Sequence, residues 1–265
     1  MSASVPRARK RFGQHFLHDP AVLERIVEAI SPSASDRLVE IGPGRGALTR
    51  ELLAAPHASL DAIEIDRDLA PLLAGSLQAG SGFAVHQQDA LEFDFAALAA
   101  KRGGRLRVVG NLPYNVSTPL LFHLLASASR IEDMHFMLQR EVVERIAAAP
   151  GDDAYGRLTV MLAPWVEAEA LFEVGPGAFQ PPPKVWSAVV RLTVRKAPAF
   201  EKSPQFGTVV ATAFSHRRKT LRNALRELVT REEIEGCGID PGVRPETLAP
   251  QMFNALAQAI DARIR

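Results

Sequence analysis

Val39-Glu40-Ile41-Gly42-Pro43-Gly44-Arg45-Gly46-Ala47-Leu48-Thr49 joins a short apolar run to a second one through three glycines. The run Arg37–Ile41 reads as a strand, and helical spacing of apolar residues resumes from Ala47 to Ala54. Glycines between a strand and a helix permit a tight turn and let a ligand approach the backbone closely. The same alternation continues outward. Strands are expected at Leu60–Ile65, Phe83–His86, Leu106–Val109 and His135–Leu138, with helices starting near Leu69 and spanning Val142–Ala149. Pro20–Ile30 reads as a leading helix, with Asp19 as its N-cap and Pro20 in its first turn. Strands separated by helical patterns predict a mostly parallel sheet covered on both faces, an α/β fold. Val166–Phe172 and Ala188–Val194 are expected to close it as an antiparallel edge pair.

After Val194 the texture changes. Lys196–Pro204 is polar and proline-bearing, a linker, and the remainder reads as short helices over Phe206–Ala213, Lys219–Leu228, Arg231–Gly236 and Pro250–Ile264. The expected division is an α/β domain over residues 1–196 and a small all-α domain over 197–265.

A chain of 265 residues, 47% hydrophobic and 23% charged, has the composition of a globular protein with ample core. The N-terminal cations Arg7, Arg9, Lys10 and Arg11 are not followed by an apolar h-region, and no run has the length of a membrane span. Cys237 is the single cysteine, which excludes an internal disulfide and any multi-cysteine zinc site. A cytoplasmic location, no metal and no membrane partner are expected. The net charge of +1 conceals an asymmetry: from Arg191 to Arg231 there are ten Lys/Arg against two Asp/Glu. Acidic residues such as Glu40, Glu64, Asp66, Asp68 and Asp89 gather in the middle instead. Basic ends around a less basic body suit a small-molecule site beside a polyanion-binding surface.

Glu64 ends the second strand about twenty residues after the glycines, where a carboxylate can take both ribose hydroxyls. The Gly-x-Gly-x-Gly spacing fits a pyrophosphate-cradling loop poorly, and no Gly-Lys-Ser/Thr is present for a nucleoside triphosphate. Asn111-Leu112-Pro113-Tyr114 supplies a second device at the end of the fourth strand. Leu112 precedes proline and is biased to extended geometry, while Pro113 fixes its own φ. The Asn111 amide oxygen and the Leu112 carbonyl can both accept from an exocyclic amine, with the Tyr114 ring as a stacking face. That arrangement suits a flat, amine-bearing heterocycle.

These stretches resemble the S-adenosylmethionine-dependent methyltransferases of class I, with a Rossmann-like, mostly parallel seven-stranded sheet, and within them the ribosomal RNA adenine N6-dimethyltransferases. The glycine loop is similar to the first motif of that class, and Gln88-Asp89-Ala90-Leu91 to a later one. Lys10–Leu17, Gly110–Leu125, Met137–Val143, Tyr155–Leu158, Phe179–Val185 and Phe214–Asn223 match in order over nearly the whole chain. The resemblance implies S-adenosylmethionine bound by His15, Leu17, Gly42, Gly44, Glu64, Asp89, Ala90 and Asn111. It further implies a target adenine held by Asn111, Leu112 and Tyr114 with Phe179 stacked opposite, and RNA phosphates met by Arg217, Arg218, Lys219 and Arg222. The branch it resembles most dimethylates two adjacent adenines in the 3′-terminal hairpin of 16S rRNA; the implied partner is that RNA in the small subunit or its precursor, and the implied state is a monomer. His15 stands where many relatives have Asn, and Ser215-His216 where they have Asn-Gln. Three alternatives stay open: methylation of 23S rRNA or DNA adenine, a nicotinamide-dependent oxidoreductase using the glycine loop, and a non-catalytic ribosome-assembly factor.

Overall fold

The computed structural model describes residues 14–77, 82–113, 116–215 and 218–264. Tyr114 and Arg217 lie outside the described residues, as do Arg7, Arg9, Lys10 and Arg11. The chain forms two compact units: Met1–Val143 with Ala168–Val194, and Glu144–Glu167 with Arg195–Arg265.

The first unit is built as strand–helix repeats. A two-residue strand β1 (Phe16–Leu17) precedes helix α1 (Pro20–Ile30); then β2 (Arg37–Ile41), α2 (Ala47–Ala54), β3 (Ser59–Glu64), α3 (Leu69–Ser76) and β4 (Phe83–Gln87) follow. After α4 (Phe95–Arg102) come β5 (Leu106–Asn111), α5 (Ser117–Ala126), β6 (Ile131–Gln139) and α6 (Arg140–Ala147). Helix α7 (Arg157–Leu162), which belongs to the second unit, precedes β7 (Val166–Val174), β8 (Phe179–Gln180) and β9 (Ser187–Val194) in the chain. The capping expected of α1 is present: Asp19 accepts from the Ala21 and Val22 amides at 2.9 and 3.3 Å, and Leu23, Ile26 and Ile30 form the buried stripe.

Seven strands pair in the order β4-β3-β2-β5-β6-β9-β7. The first five run parallel, and β9 turns antiparallel to β6 with Met137 opposite Val189. Leu38, Val39, Leu60, Val108 and Val109 are fully buried, as a sheet covered on both faces requires. Each such side chain stabilises the fold by about 1.5–3 kcal/mol relative to exposure. Chain order reverses between β2 and β5, because β3 and β4 extend the sheet one way and β5 and β6 the other. Open α/β sheets bind ligands at such a switch point, outside the carboxyl ends of the strands. Here those ends are Ile41-Gly42 and Asn111.

Two buried aspartates of the sheet are held by arginines. Asp61 on β3 receives the Arg102 guanidinium at 2.8 Å through both oxygens and lies 2.8 Å from His86 Nε2. Arg107 on β5 spans Asp133 and Asp36 at 2.7 and 2.6 Å and donates to the Ile30 carbonyl. These contacts hold both carboxyls of Asp36 and Asp61 below the ordinary aspartate range against the opposing effect of burial.

The second unit contains α8 (Phe206–Ala213), α9 (Leu221–Leu225), α10 (Arg231–Gly236) and α11 (Pro250–Ile264). Phe206, Val209, Leu221, Leu225, Phe253 and Leu256 are its core, and Tyr155 and Val160 pack into the same cluster. The Tyr155 hydroxyl donates to the Leu248 carbonyl at 2.7 Å. Residues 144–167 therefore fall with the helical unit, whereas a division at residue 196 leaves them with the sheet; the buried Tyr155 ring and its hydrogen bond are the physical reason. No helix among the described residues is long and apolar enough to cross a membrane.

Candidate active site

A cleft opens at the switch point, walled by the loop after β2, the ends of β3 and β4, the Asn111–Pro113 turn and the segment 14–17. His15, Leu17, Gly42, Gly44, Glu64, Asp89, Ala90, Asn111 and Leu112 all line it, so the residues anticipated for the cofactor come together in space.

The glycine loop is fixed from several sides. Gly42, Gly44 and Gly46 all have positive φ, which an L side chain would strain. A Cβ on Gly44 would also lie 2.9 Å from the Phe16 ring, which covers the loop, and the Arg45 guanidinium stands 4.4 Å over the same ring. The Gly42 amide donates to the Ile63 carbonyl at 2.9 Å. The Gly44 amide donates to Glu64 Oε2 at 2.9 Å, and the Asp66 amide to Glu64 Oε1 at the same distance. Glu64 thus braces the loop as well as facing the cleft, a role not visible in the sequence spacing. Each carboxylate oxygen keeps a second lone pair for a ligand hydroxyl. Burial raises the Glu64 pKa, and the two backbone amides work against that rise.

Glu40 was passed over as a site residue by sequence reasoning. Its side chain is 2% exposed, lines the cleft, and leaves Oε2 without a hydrogen-bond partner among the described residues. Burial pushes its pKa up to about 7, with the Thr49 hydroxyl opposing and Glu64 adding to the rise. A buried carboxyl with an unpartnered oxygen is stabilised when a cation arrives beside it. Its acidity at the end of an otherwise apolar strand was the available signal. Asp89 accepts from the Leu91 amide at 2.9 Å through Oδ1 and leaves Oδ2 as a further acceptor at the mouth of β4.

On the facing wall, β5 ends at Asn111 opposite Met137 of β6, and the Leu112 amide continues that ladder to the Met137 carbonyl at 3.2 Å. Leu112 is buried, so the turn is seated in the core. The Asn111 Nδ2 donates to the His15 carbonyl at 2.9 Å. This bond selects one orientation of the amide and leaves Oδ1 as the acceptor at the cleft wall. Among the described residues nothing donates to the Leu112 carbonyl either. The His15 ring sits 2.8 Å from the Pro181 carbonyl through Nδ1, so its side chain holds the 181–186 segment while its backbone orients Asn111.

Phe179 is not brought to this cleft. It lies on β8 opposite Leu17 of β1, is 2% exposed, and packs in the core with Leu17, Leu23 and Val189. The short antiparallel pair turns its ring inward, which removes the open face that stacking on a base requires. In the second unit Arg218 and Arg222 are exposed at the α8–α9 connection, and Lys219 beside them is half-buried. Among the described residues no group of His, Cys, Asp and Glu has the makings of a metal site.

A family model described as ribosomal RNA adenine dimethylase matches residues 5–261. The chain is 56% identical over 256 residues to the ribosomal RNA small subunit methyltransferase A of Pseudomonas aeruginosa, covering 96% of this chain and 95% of that one. It is 52% identical to the protein of the same name from Hahella chejuensis, over 96% and 93%. Among solved structures, a 23S rRNA methyltransferase, ErmE, aligns with a TM-score of 0.73 at 26% identity over 93% of this chain and 99% of that one. A dimethyladenosine transferase from Plasmodium falciparum aligns with a TM-score of 0.78 at 23% identity, over 94% and 98%.

Proposed function

The chain belongs to the ribosomal RNA adenine dimethylase family, whose members are S-adenosylmethionine-dependent methyltransferases, and from that membership we propose that it dimethylates N6 of two adjacent adenines in the 3′-terminal hairpin loop of 16S rRNA. Similarity favours the small-subunit substrate, since relatives at 52–56% identity carry that name whereas the 23S enzyme stands at 26%. The partner is 16S rRNA in the small subunit or its precursor, met by a monomer in the cytoplasm.

The residues fit the donor. S-adenosylmethionine supplies an electrophilic methyl group on a sulfonium. Glu40 would pair with its ammonium group, Glu64 with ribose hydroxyls, and Asp89 with the adenine amine. Gly42 and Gly44 would let the amino-acid portion lie against the backbone, and Leu17 and Ala90 would border the apolar surface.

The observation that carries the reading is the Asn111 amide, whose nitrogen is committed to the His15 carbonyl. The oxygen left over accepts from the target N6, and the Leu112 carbonyl accepts the second N–H. The N6 lone pair of adenine is ordinarily delocalised into the ring. Two acceptors favour a more tetrahedral nitrogen and stabilise positive charge as it develops there. Positioning does the remainder: as the N6–methyl bond forms the sulfonium–methyl bond would break to leave a neutral thioether, and the N6 proton would then pass to solvent, so no dedicated base is needed. N6-methyladenine still offers one N–H, which lets the same clamp serve a second transfer. Tyr114 provides a stacking face, and the target must be unpaired to reach it. Arg217, Arg218, Lys219 and Arg222 serve RNA phosphates.

Mass spectrometry of 16S rRNA nucleosides with and without the protein tests the reaction, and an unchanged N6,N6-dimethyladenine content would sink it. Asn111→Ala should lower kcat by about 10²–10³-fold, the loss typical of one charge-stabilising contact, while cofactor Kd changes little. Near-wild-type kcat in that variant would remove the proposed role of the amide.

A further inference from the structure

The segment from Pro181 to Trp186 has no part in the chemistry above, yet it is built to be seen by a partner. Pro181, Pro182, Lys184, Val185 and Trp186 are all exposed. Trp186 leaves 50% of its surface in solvent and Val185 beside it 45%. A tryptophan half open to solvent beside another exposed apolar side chain offers the amphipathic contact surface that interaction sites use. Both ends are anchored. The Pro181 carbonyl meets His15 Nδ1 at 2.8 Å, which joins the segment to the cleft wall. The Trp186 carbonyl accepts from the Arg140 amide at 3.0 Å, just before β9 begins at Ser187. The benzo end of the indole rests against Gly175, where a Cβ would sit only 3.6 Å from the ring. The ring is therefore braced on one side while its remaining surface stays open. Lys184, two residues away, is exposed, and the Arg140 side chain, 3.7 Å from Glu173, is 48% exposed.

We propose that Trp186 is a stacking platform for a base of the single-stranded RNA flanking the target adenine, with Lys184 meeting the adjoining phosphate. An aromatic face beside a cation is the combination by which proteins hold unpaired nucleotides without reading their sequence. Continuity with the cleft through His15 argues for RNA rather than a protein partner, because a strand that delivers one base to the Asn111 clamp must run past the cleft rim. The inference rests on the adenine-methyltransferase reading, and it concerns a base beside the target, a contact separate from the clamp on the adenine itself.

Tryptophan emission of the S-adenosylmethionine-loaded chain, titrated with a single-stranded oligoadenylate of about eight nucleotides, a length within known site sizes, reads stacking directly. Quenching is expected in the wild-type chain and should be lost in Trp186→Phe, although that variant keeps most of its affinity. Trp186→Ala should weaken the oligonucleotide roughly 5- to 150-fold, the ~1–3 kcal/mol of one stacked base converted at 1.4 kcal/mol per factor of ten. In methyl transfer to small subunits lacking the modification, the same variant should raise KM and leave kcat nearly unchanged. Equal quenching in Trp186→Phe, or wild-type oligonucleotide affinity in Trp186→Ala, overturns the proposal. So does a loss of subunit affinity with no loss of oligonucleotide affinity, which would identify a protein partner. If the wild-type chain transfers methyl groups but shows no Trp186-dependent quenching, only this inference fails. If quenching appears and N6 methylation does not, the enzymatic reading fails instead.

Discussion

Gly110→Ala drives a wedge between the two halves of the cleft. A Cβ at Gly110 would lie 2.5 Å from the Ile41 carbonyl oxygen and 3.1 Å from Leu112 Cδ2. Relief to ordinary contact at about 3.5 Å requires β5 and β2 to part by roughly 1 Å. The neighbours of that contact are the groups of the proposed site: Ile41 leads into Gly42 of the glycine loop, and Gly110 precedes the Asn111 amide. Gly110 does not have positive φ, so the perturbation is steric and free of backbone strain. Misplacing a reacting group by about 1 Å lowers rate on the order of 10²-fold. Overpacking of this kind destabilises by about 1–3 kcal/mol, and a chain of this length loses roughly 2–4 °C of Tm per kcal/mol. Single-turnover methyl transfer together with calorimetric unfolding measures both quantities. A rate within about threefold of wild type, less than 1 kcal/mol of barrier, would refute the wedge argument, and an unchanged Tm beside it would show that the sheet absorbs the methyl group.

Glu40→Gln should separate folding from cofactor binding. The folded pKa of Glu40 lies near 7, above its unfolded value, so its ionisation withdraws stability as pH rises from about 4.5 and the full penalty, ~3 kcal/mol, is present above pH 7. The amide should therefore stabilise the free protein at pH 8, yet weaken S-adenosylmethionine and abolish any rise of affinity with pH through 7; titration calorimetry across that range decides it. His135 works in the opposite direction. Burial lowers its pKa to about 4 despite Asp133 nearby, so the unfolded chain binds the extra proton, and stability falls by up to ~3 kcal/mol as pH drops from 6.5 to 4. His135→Leu should flatten that limb of a pH-dependent denaturation series, and a retained limb would place the acid sensitivity elsewhere. Arg218→Ala with Arg222→Ala should weaken RNA binding and reduce the slope of log affinity against log salt by about 1.5–2; an unchanged slope excludes phosphate contacts at both positions.

Much of the first unit was legible because burial on both faces of a parallel sheet writes itself as apolar runs, as at Leu38-Val39 and Val108-Val109. The glycine loop was legible because few other residues tolerate its backbone. What escaped depended on partners remote in sequence. Strand β6 begins at Ile131, four residues before the expected start, because Asp133 looks like loop until Arg107 pairs with it. Helix α4 is only eight residues long, and its signals, the Asp94 cap on the Ala97 amide, the alanine-rich Phe95–Arg102 run and Gly103 at its end, are local ones that a reading by apolar period passes over. The pair β1–β8 is two residues long and has no period to read, so nothing in the sequence places the Phe179 ring in the core. Likewise, Tyr155 is explained only by a carbonyl 93 positions later. Within the cleft, acidic residues were visible as types, but the bracing of Gly44 by Glu64 and the isolation of Glu40 are facts of three-dimensional packing.

The bond from Asn111 to the His15 carbonyl has a consequence for how activity could be lost without loss of fold. A carboxamide turned end for end has almost the same shape, but it offers an adenine amine two hydrogens where it had offered an oxygen. In the proposed clamp the His15 carbonyl would act as a polarity key: it accepts one end of the amide and so would decide that the other end attracts N6 instead of repelling it. Displacing His15 alone, without Leu17 and its core packing, would leave the seven-stranded sheet standing. The clamp would then be free to present its wrong end, and the protein would remain a competent RNA-binding body with its chemistry switched off.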